Sequence, residues 1–201
     1  ITEKKTLQAM CREGLTCRQQ LLDRGYRFEP FNMNDLDGEI RKLHTIITNS
    51  FSPFLGFTAV SFGEFKNIIS PSRVALDPRF FIFVYDEKGV LAGFTGSFLE
   101  ISDALRSMHG QSHFMAKLNF LYRRARADRA VFFFGGMSRE EIQKRSGLGR
   151  AGFAHMVDQI IKAGYEDVIF ALMSQDSRAR GSVLGYPAGG TRHYALYELN
   201  P

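Results

Sequence analysis

The sequence predicts an α/β protein of one domain, and three observations carry that prediction. A strand-like apolar run, residues 130–134, leads into the basic, glycine-rich stretch Gln143-Lys-Arg-Ser-Gly-Leu-Gly-Arg-Ala-Gly-Phe153 and then into an amphipathic helix ending at Ala163. Asp86-Glu87-Lys88-Gly89 stands between two apolar runs, which is hairpin chemistry. Residues 3–24 and 35–51 repeat their apolar positions at helical spacing. At 201 residues the chain is ample for one such domain and short for two.

The elements follow in order. Residues 3–24 read as a helix with Leu7, Met10, Cys11, Leu15, Leu21 and Leu22 mainly on one side, closed by Gly25. Residues 26–31 form a short strand. Residues 35–51 form a second helix through Leu36, Ile40, Leu43, Ile46 and Ile47, and 61–69 a shorter one. The hairpin strands are 79–85 and 90–99, and 103–125 is mostly helical. Residues 130–137 are a strand, 149–163 a helix closed by Gly164, 167–173 a strand and 194–199 the last strand. Neither an internal repeat nor a low-complexity segment interrupts this order.

A strand, a basic glycine-rich turn and a helix together present backbone N–H groups to an anion. First-turn amides lack intrahelical acceptors and the helix dipole adds positive potential. Gly147 and Gly149 permit close approach, and Arg145 and Arg150 add formal charge. A tight turn alone would give the same pattern.

Composition excludes several classes. Hydrophobic content is 44% without an apolar run of membrane-spanning length, and no leader-like segment opens the chain; a soluble, cytoplasmic protein without a membrane partner is expected. A net charge of +5 does not imply nucleic acid, and Tyr122-Arg123-Arg124-Ala125-Arg126-Ala127-Asp128-Arg129 reads first as a solvated surface. Cys11 and Cys17 fit neither a C-x-x-C pair nor a disulfide framework. His44, His109, His113, His155 and His193 are scattered, and no metal site is expected. Neither a G-x-S-x-G elbow nor a Gly-Lys-Ser/Thr phosphate loop is present. Nineteen Phe and no Trp point to an aromatic core holding Phe80, Phe81 and parts of 132–134.

The element order, with Lys144-Arg145-Ser146-Gly147-Leu148-Gly149 at the loop, resembles the GNAT acyltransferase superfamily, whose signature there is Gln/Arg-x-x-Gly-x-Gly/Ala. Gly56-Phe57-Thr58 with Glu64-Phe65, Leu76-Asp77-Pro78, Gly93-Phe94 and Tyr194-Ala195-Leu196-Tyr197-Glu198 are similar to a bacterial GNAT branch in which such a domain is the C-terminal half of a longer chain. The start at Ile1 fits a fragment of that kind, with 1–24 an N-terminal helix and 25–201 the GNAT-like domain.

The resemblance implies a mixed, mostly antiparallel sheet flanked by helices, with splayed strands that bind acetyl-CoA or another acyl-CoA. The pyrophosphate would lie on the amides of Ser146, Gly147, Leu148, Gly149, Arg150 and Ala151, beside Arg145. Gly135-Gly136 marks the expected strand bulge, and the edge at Gly136 and Met137 would take the pantetheine arm. The acceptor would be a small-molecule primary amine, a peptide N-terminus or a lysine; a homodimer is a further expectation. An acyl carrier protein is an alternative donor that the basic run would face. Glu100 is the candidate general base, although a strand-end carboxylate also reads as plain surface. Tyr194 and Tyr197 either shape the acceptor pocket or alternate as core and rim.

Three departures from the family pattern stand out. The segment between Gly136 and Gly147 is longer, through Ser138-Arg139-Glu140-Glu141-Ile142. Asp176 holds the place of a family Asn, and Val183 that of a Tyr that protonates the leaving thiolate. Pro53-Phe54-Leu55 gives an apolar lip before Gly56 that suits a hydrophobic acceptor or a longer acyl chain. A domain that binds acyl-CoA without turnover is the alternative function.

Overall fold

The structure, a computed structural model, describes residues 2–53, 57–171 and 194. Its strands are β1 Thr2–Glu3, β2 Arg27–Pro30, β3 Leu76–Tyr85, β4 Leu91–Leu99, β5 Arg129–Met137 and β6 Asp167–Phe170. Its helices are α1 Lys4–Asp23, α2 Leu36–Phe51, α3 Phe62–Ile69, α4 Ser102–Arg106, α5 Phe114–Arg124, α6 Arg139–Lys144 and α7 Leu148–Lys162. The sheet order is β1-β6-β5-β4-β3-β2; β5 and β6 are parallel and every other pair is antiparallel.

The layers follow from strand alternation. On β3, Phe80, Ile82 and Val84 face one side and pack with Leu7 of α1 and Met156, Val157 and Ile160 of α7. Phe81 and Phe83 face the other side and pack with Ile40 and Leu43 of α2 and Phe65 of α3. β3, between β4 and the edge strand β2, is buried on both faces over residues 80–84, so its sequence reads there as a continuous apolar run rather than an alternation. Burial of each such Phe is worth about 1.5–3 kcal/mol.

Local chemistry sets the ends of the elements. Asp35 caps α2 by accepting from Gly38 N at 3.1 Å, and Ser61 and Glu64 form a capping box on α3. Asp86 Oδ1 accepts from Lys88 N at 3.0 Å and Val90 N at 2.8 Å, tying the β3–β4 hairpin. Gly25, at φ +90°, follows α1 as expected.

Two expectations need correction, the start of the N-terminal helix and the place of the β5 bulge, and two segments gain detail. The N-terminal helix begins at Lys4, because Thr2–Glu3 pair with β6 at the sheet edge. The segment 103–125, expected to be mostly helical, holds two helices, α4 and α5, separated where His109 and Gly110 take positive φ. The longer segment after β5 holds α6, which Ser138 caps by accepting from Glu141 N at 3.3 Å. The β5 bulge is not at Gly135-Gly136, which pair regularly with Thr95 and Phe94. Gly96 pairs with Phe134 and Ser97 with Phe132, so the extra residue is Phe133; its ring is exposed and packs edge-on against Phe98. The expected strand over 194–199 lies outside the described residues apart from Tyr194, as do the last residues of the one expected over 167–173.

Candidate functional site

β5, α6 and α7 together build the glycine-rich loop. After α6 the backbone turns through two left-handed residues, Arg145 at φ 49° and Gly147 at φ 82°. Gly147 is the N-cap of α7 and supplies no side-chain cap. A β-carbon is disfavoured at that φ, and a glycine there leaves the helix end open.

The amides of this turn do not all serve alike. Leu148 N donates to Ser146 Oγ at 3.3 Å, and Ala151 N donates to Gly147 O at 3.0 Å as the first helical bond. The amides of Gly149 and Arg150 remain without an intrahelical acceptor and point out of the helix end. Within the expected anion cradle over 146–151, the amides of Leu148 and Ala151 are already bonded and their side chains are buried, so Gly149 and Arg150 are the first-turn amides of α7 left open. Arg145 is exposed, and Arg150 pairs with Glu13 at 3.2 Å, an exposed contact that an anion can readily displace.

Beneath the loop lies a residue that the sequence reading did not single out. Glu141 is buried and accepts from Ser146 Oγ at 2.6 Å, Lys144 Nζ at 2.8 Å and Tyr26 OH at 3.0 Å. Burial alone would raise its pKa; hydrogen bonds from Lys144, Ser146 and Tyr26 outweigh burial and hold the carboxyl below the usual glutamate value. Burial, then the bond to Glu141, pushes the Tyr26 phenol up to about 12. Lys144, at the first position of the glycine motif, is thus an anchor for Glu141 rather than a cation aimed at the loop. The spacing Ser138-x-x-Glu141 is a helix-start signature that would have revealed α6 and placed Glu141 one turn before the loop.

The end of β5 runs under this loop. A β-carbon on Gly136 would lie 2.8 Å from Phe94 Cε1 and 3.0 Å from Ser50 Oγ, so close packing requires the glycine. Ser50 Oγ donates to Met137 O at 2.8 Å, which links the last turn of α2 to the end of β5. The Met137 thioether lies against Gly149, where a β-carbon would stand 3.2 Å from its sulfur. β6 pairs with β5 over Arg129–Phe132, and Ala171 N donates to Phe132 O at 3.0 Å. Beyond that point, among the described residues, Gly135, Gly136 and Met137 have β4 as their strand partner.

Gly136, Met137, Arg145, Ser146, Gly147, Leu148, Gly149, Arg150 and Ala151 are therefore brought together. Glu100 is not. Leu99 pairs with Ala130 and Gly93 with Met137, so Glu100 stands at the opposite end of β5, about 25 Å away at roughly 3.4 Å per residue. Its carboxylate accepts from Ser102 N at 2.9 Å and helps to turn the chain into α4. The basic run at 123–129 lies at that same far end. Tyr194 is exposed, and Asp176, Val183 and Tyr197 lie outside the described residues. Among the described residues no cluster of three His, Cys, Asp or Glu side chains could hold a metal ion.

No protein-family model and no curated protein matches this sequence. Solved structures do match its fold, acetyltransferases among them. A GCN5-related N-acetyltransferase from Sphaerobacter thermophilus aligns with a TM-score of 0.52 at 12% identity over 81% of this chain; the chain spans 41% of that protein's length. An aminoglycoside acetyltransferase from an uncultured soil metagenomic sample, solved in complex with trehalose, aligns with a TM-score of 0.52 at 10% identity, over 90% of this chain and 99% of its own. A possible acetyltransferase from Clostridium difficile 630 aligns with a TM-score of 0.50 at 10% identity, over 87% of this chain and 99% of its own. The chain therefore has the GNAT fold: a mixed, mostly antiparallel sheet between helices.

Proposed function

We propose that this protein is an N-acyltransferase that binds acyl-CoA at the start of α7 and moves the acyl group to a primary amine. The observation that carries the reading is the uncapped, left-handed Gly147 at the N-terminus of α7, placed directly after β5 in a GNAT fold. Acyl-CoA supplies the thioester and two phosphate groups joined as a pyrophosphate. The chain's residues fit it: the amides of Gly149 and Arg150 and the side chains of Arg145 and Arg150 hold the anion, with no acidic cap competing.

The backbone edge of β5 from Gly135 to Met137 orients the arm, as one strand orients another. Bonds from Ser50 and the Phe94 contact keep that edge rigid, so the reacting carbonyl is positioned rather than sampled. The neutral amine attacks the carbonyl carbon, a C–N bond forms, the C–S bond breaks, and the amine proton leaves to a base while the thiolate takes a proton. Backbone N–H groups polarise the carbonyl oxygen during this step. The apolar sequence Pro53-Phe54-Leu55, of which Phe54 and Leu55 lie outside the described residues, would suit a hydrophobic acceptor or a longer acyl chain. The acyl-carrier alternative loses support, because the basic run lies at the far end of β5.

One observation favours a second reading, an acyl-CoA-binding domain without turnover: Glu100 is held at the opposite end of the sheet by Ser102. Thiol release from acetyl-CoA with a panel of primary amines separates the two. Amine-dependent release supports the transferase, whereas tight CoA binding with no release above the hydrolytic background supports the binding domain.

A further inference from the structure

The insertion between β4 and β5 carries a face that the proposed acyl transfer does not use. Phe114, Met115, Leu118, Leu121 and Tyr122 of α5 are all exposed, Phe114 at 73% and Met115 at 65%. At 3.6 residues per turn they share an arc of about 120°. Ala116 and Phe120, the buried residues of α5, lie on the opposite side of the helix. α5 thus already has an inward anchor, and the outward stripe is surplus to folding. Leu105 of α4 adds a sixth exposed apolar side chain.

Charge accompanies the stripe. The α4–α5 projection, residues 102–127, contains Arg106, Lys117, Arg123, Arg124 and Arg126 against one acid, Asp103, which pairs with Arg106 at 2.9 Å, while the whole chain carries 26 cations against 21 anions. A net charge of +4 out of the chain's +5 therefore sits in this one projection. The C-terminal end of α5 is fixed to the body, where Arg124 Nε donates to Val74 O.

We propose that the α4–α5 projection attaches the protein peripherally to an anionic lipid bilayer, with the α5 stripe in the headgroup boundary and the cations on the phosphates. An apolar helix face edged by Lys and Arg matches that surface in both hydrophobicity and charge. A second copy of the chain does not, since pairing the two faces would set one net positive surface against another. The pocket beside the stripe is lined mostly by charged side chains, Glu100, Asp103, Arg123, Arg126 and Asp128, a lining that does not suit an apolar protein segment. Among the described residues no helix is long and apolar enough to cross a membrane, and this attachment requires none. It departs from the sequence expectation of no membrane partner, which rested on the lack of a spanning segment. With α5 on the bilayer, the glycine-rich loop at the other end of β5 faces the solution.

The test is flotation of the 201-residue protein with vesicles of phosphatidylcholine alone or with about one third phosphatidylglycerol, at low and at high salt, alongside sedimentation velocity without lipid. The expected result is flotation with the anionic vesicles only, weakened by salt. Lys117→Gln with Arg123→Gln should reduce partitioning about 25-fold, from about fivefold per cation. Phe114→Ser with Leu118→Ser and Leu121→Ser should abolish it with the thermal melt retained. Absence of flotation by the folded wild type overturns the proposal. So does vesicle binding that the serine variant leaves unchanged, or a concentration-dependent dimer that the serine variant disrupts.

Discussion

Glu141→Gln tests how the glycine-rich loop is held. Three donors converge on this buried carboxylate, from Ser146, Lys144 and Tyr26. A hydrogen bond to a charged acceptor contributes about 1.5–3 kcal/mol. Glutamine keeps one acceptor oxygen and turns an NH2 toward at least one donor, so one or two of the three bonds are lost. The Lys144 bond is partly exposed and contributes least. The expected destabilisation is about 2–4 kcal/mol, which for a chain of this size lowers Tm by about 5–15 °C. CoA affinity should fall about tenfold, because Ser146 no longer fixes the turn that presents Gly149 and Arg150. The pH dependence has a definite sign. A carboxyl held below its ordinary pKa stabilises the fold above the ordinary glutamate range, and that stability is lost as pH falls through the lowered value. Glu141→Gln should therefore flatten the acid limb of the stability curve. Calorimetric melting and CoA titration read both effects. Unchanged Tm and unchanged CoA affinity together would refute the tethering role.

Two further predictions concern groups elsewhere in the fold. Burial first, then Arg18, pushes the pKa of His155 down to about 4 from 6.5, so the folded protein binds fewer protons than the unfolded chain across that window. Stability should be full above pH 6.5 and lost as pH falls toward 4, by about 2 kcal/mol between pH 7 and 5, and His155→Gln should remove this loss in urea titrations. Glu100→Gln should leave any turnover within about twofold, because Glu100 only turns the chain at Ser102; a loss of about 10²-fold or more would restore it as the general base.

Much of this fold was legible in the residues. Asp86–Gly89 announced the hairpin, the apolar periodicities announced α1, α2 and α7, and the glycine-rich loop placed a helix N-terminus after β5. Tertiary packing set what the pattern left open. The two-residue strand β1 is defined by its pairing with β6, and no two-residue pattern signals that. Phe133 reads as core beside Phe132, but the bulge turns it outward, and a bulge has no signature in residue type alone. Glu100 was assigned by family resemblance at a strand end. Only the register of β4 on β5 shows that this end faces away from the loop. Glu141 was hidden for another reason: its partners Tyr26 and Ser146 are 115 and five residues away, and no local pattern joins them.

The central claim is that the N-terminus of α7 is an acyl-CoA phosphate site, and titration calorimetry of acetyl-CoA into the wild type and Gly147→Asp tests it most directly. An aspartate there would place its own carboxylate on the free amides and add bulk at a position whose φ is +82°. The account predicts saturable binding by the wild type and at least about 30-fold weaker binding by the variant, or about 2 kcal/mol, with the variant confirmed folded by its melt. Equal affinity in the two folded proteins, or no binding by the wild type, would contradict it.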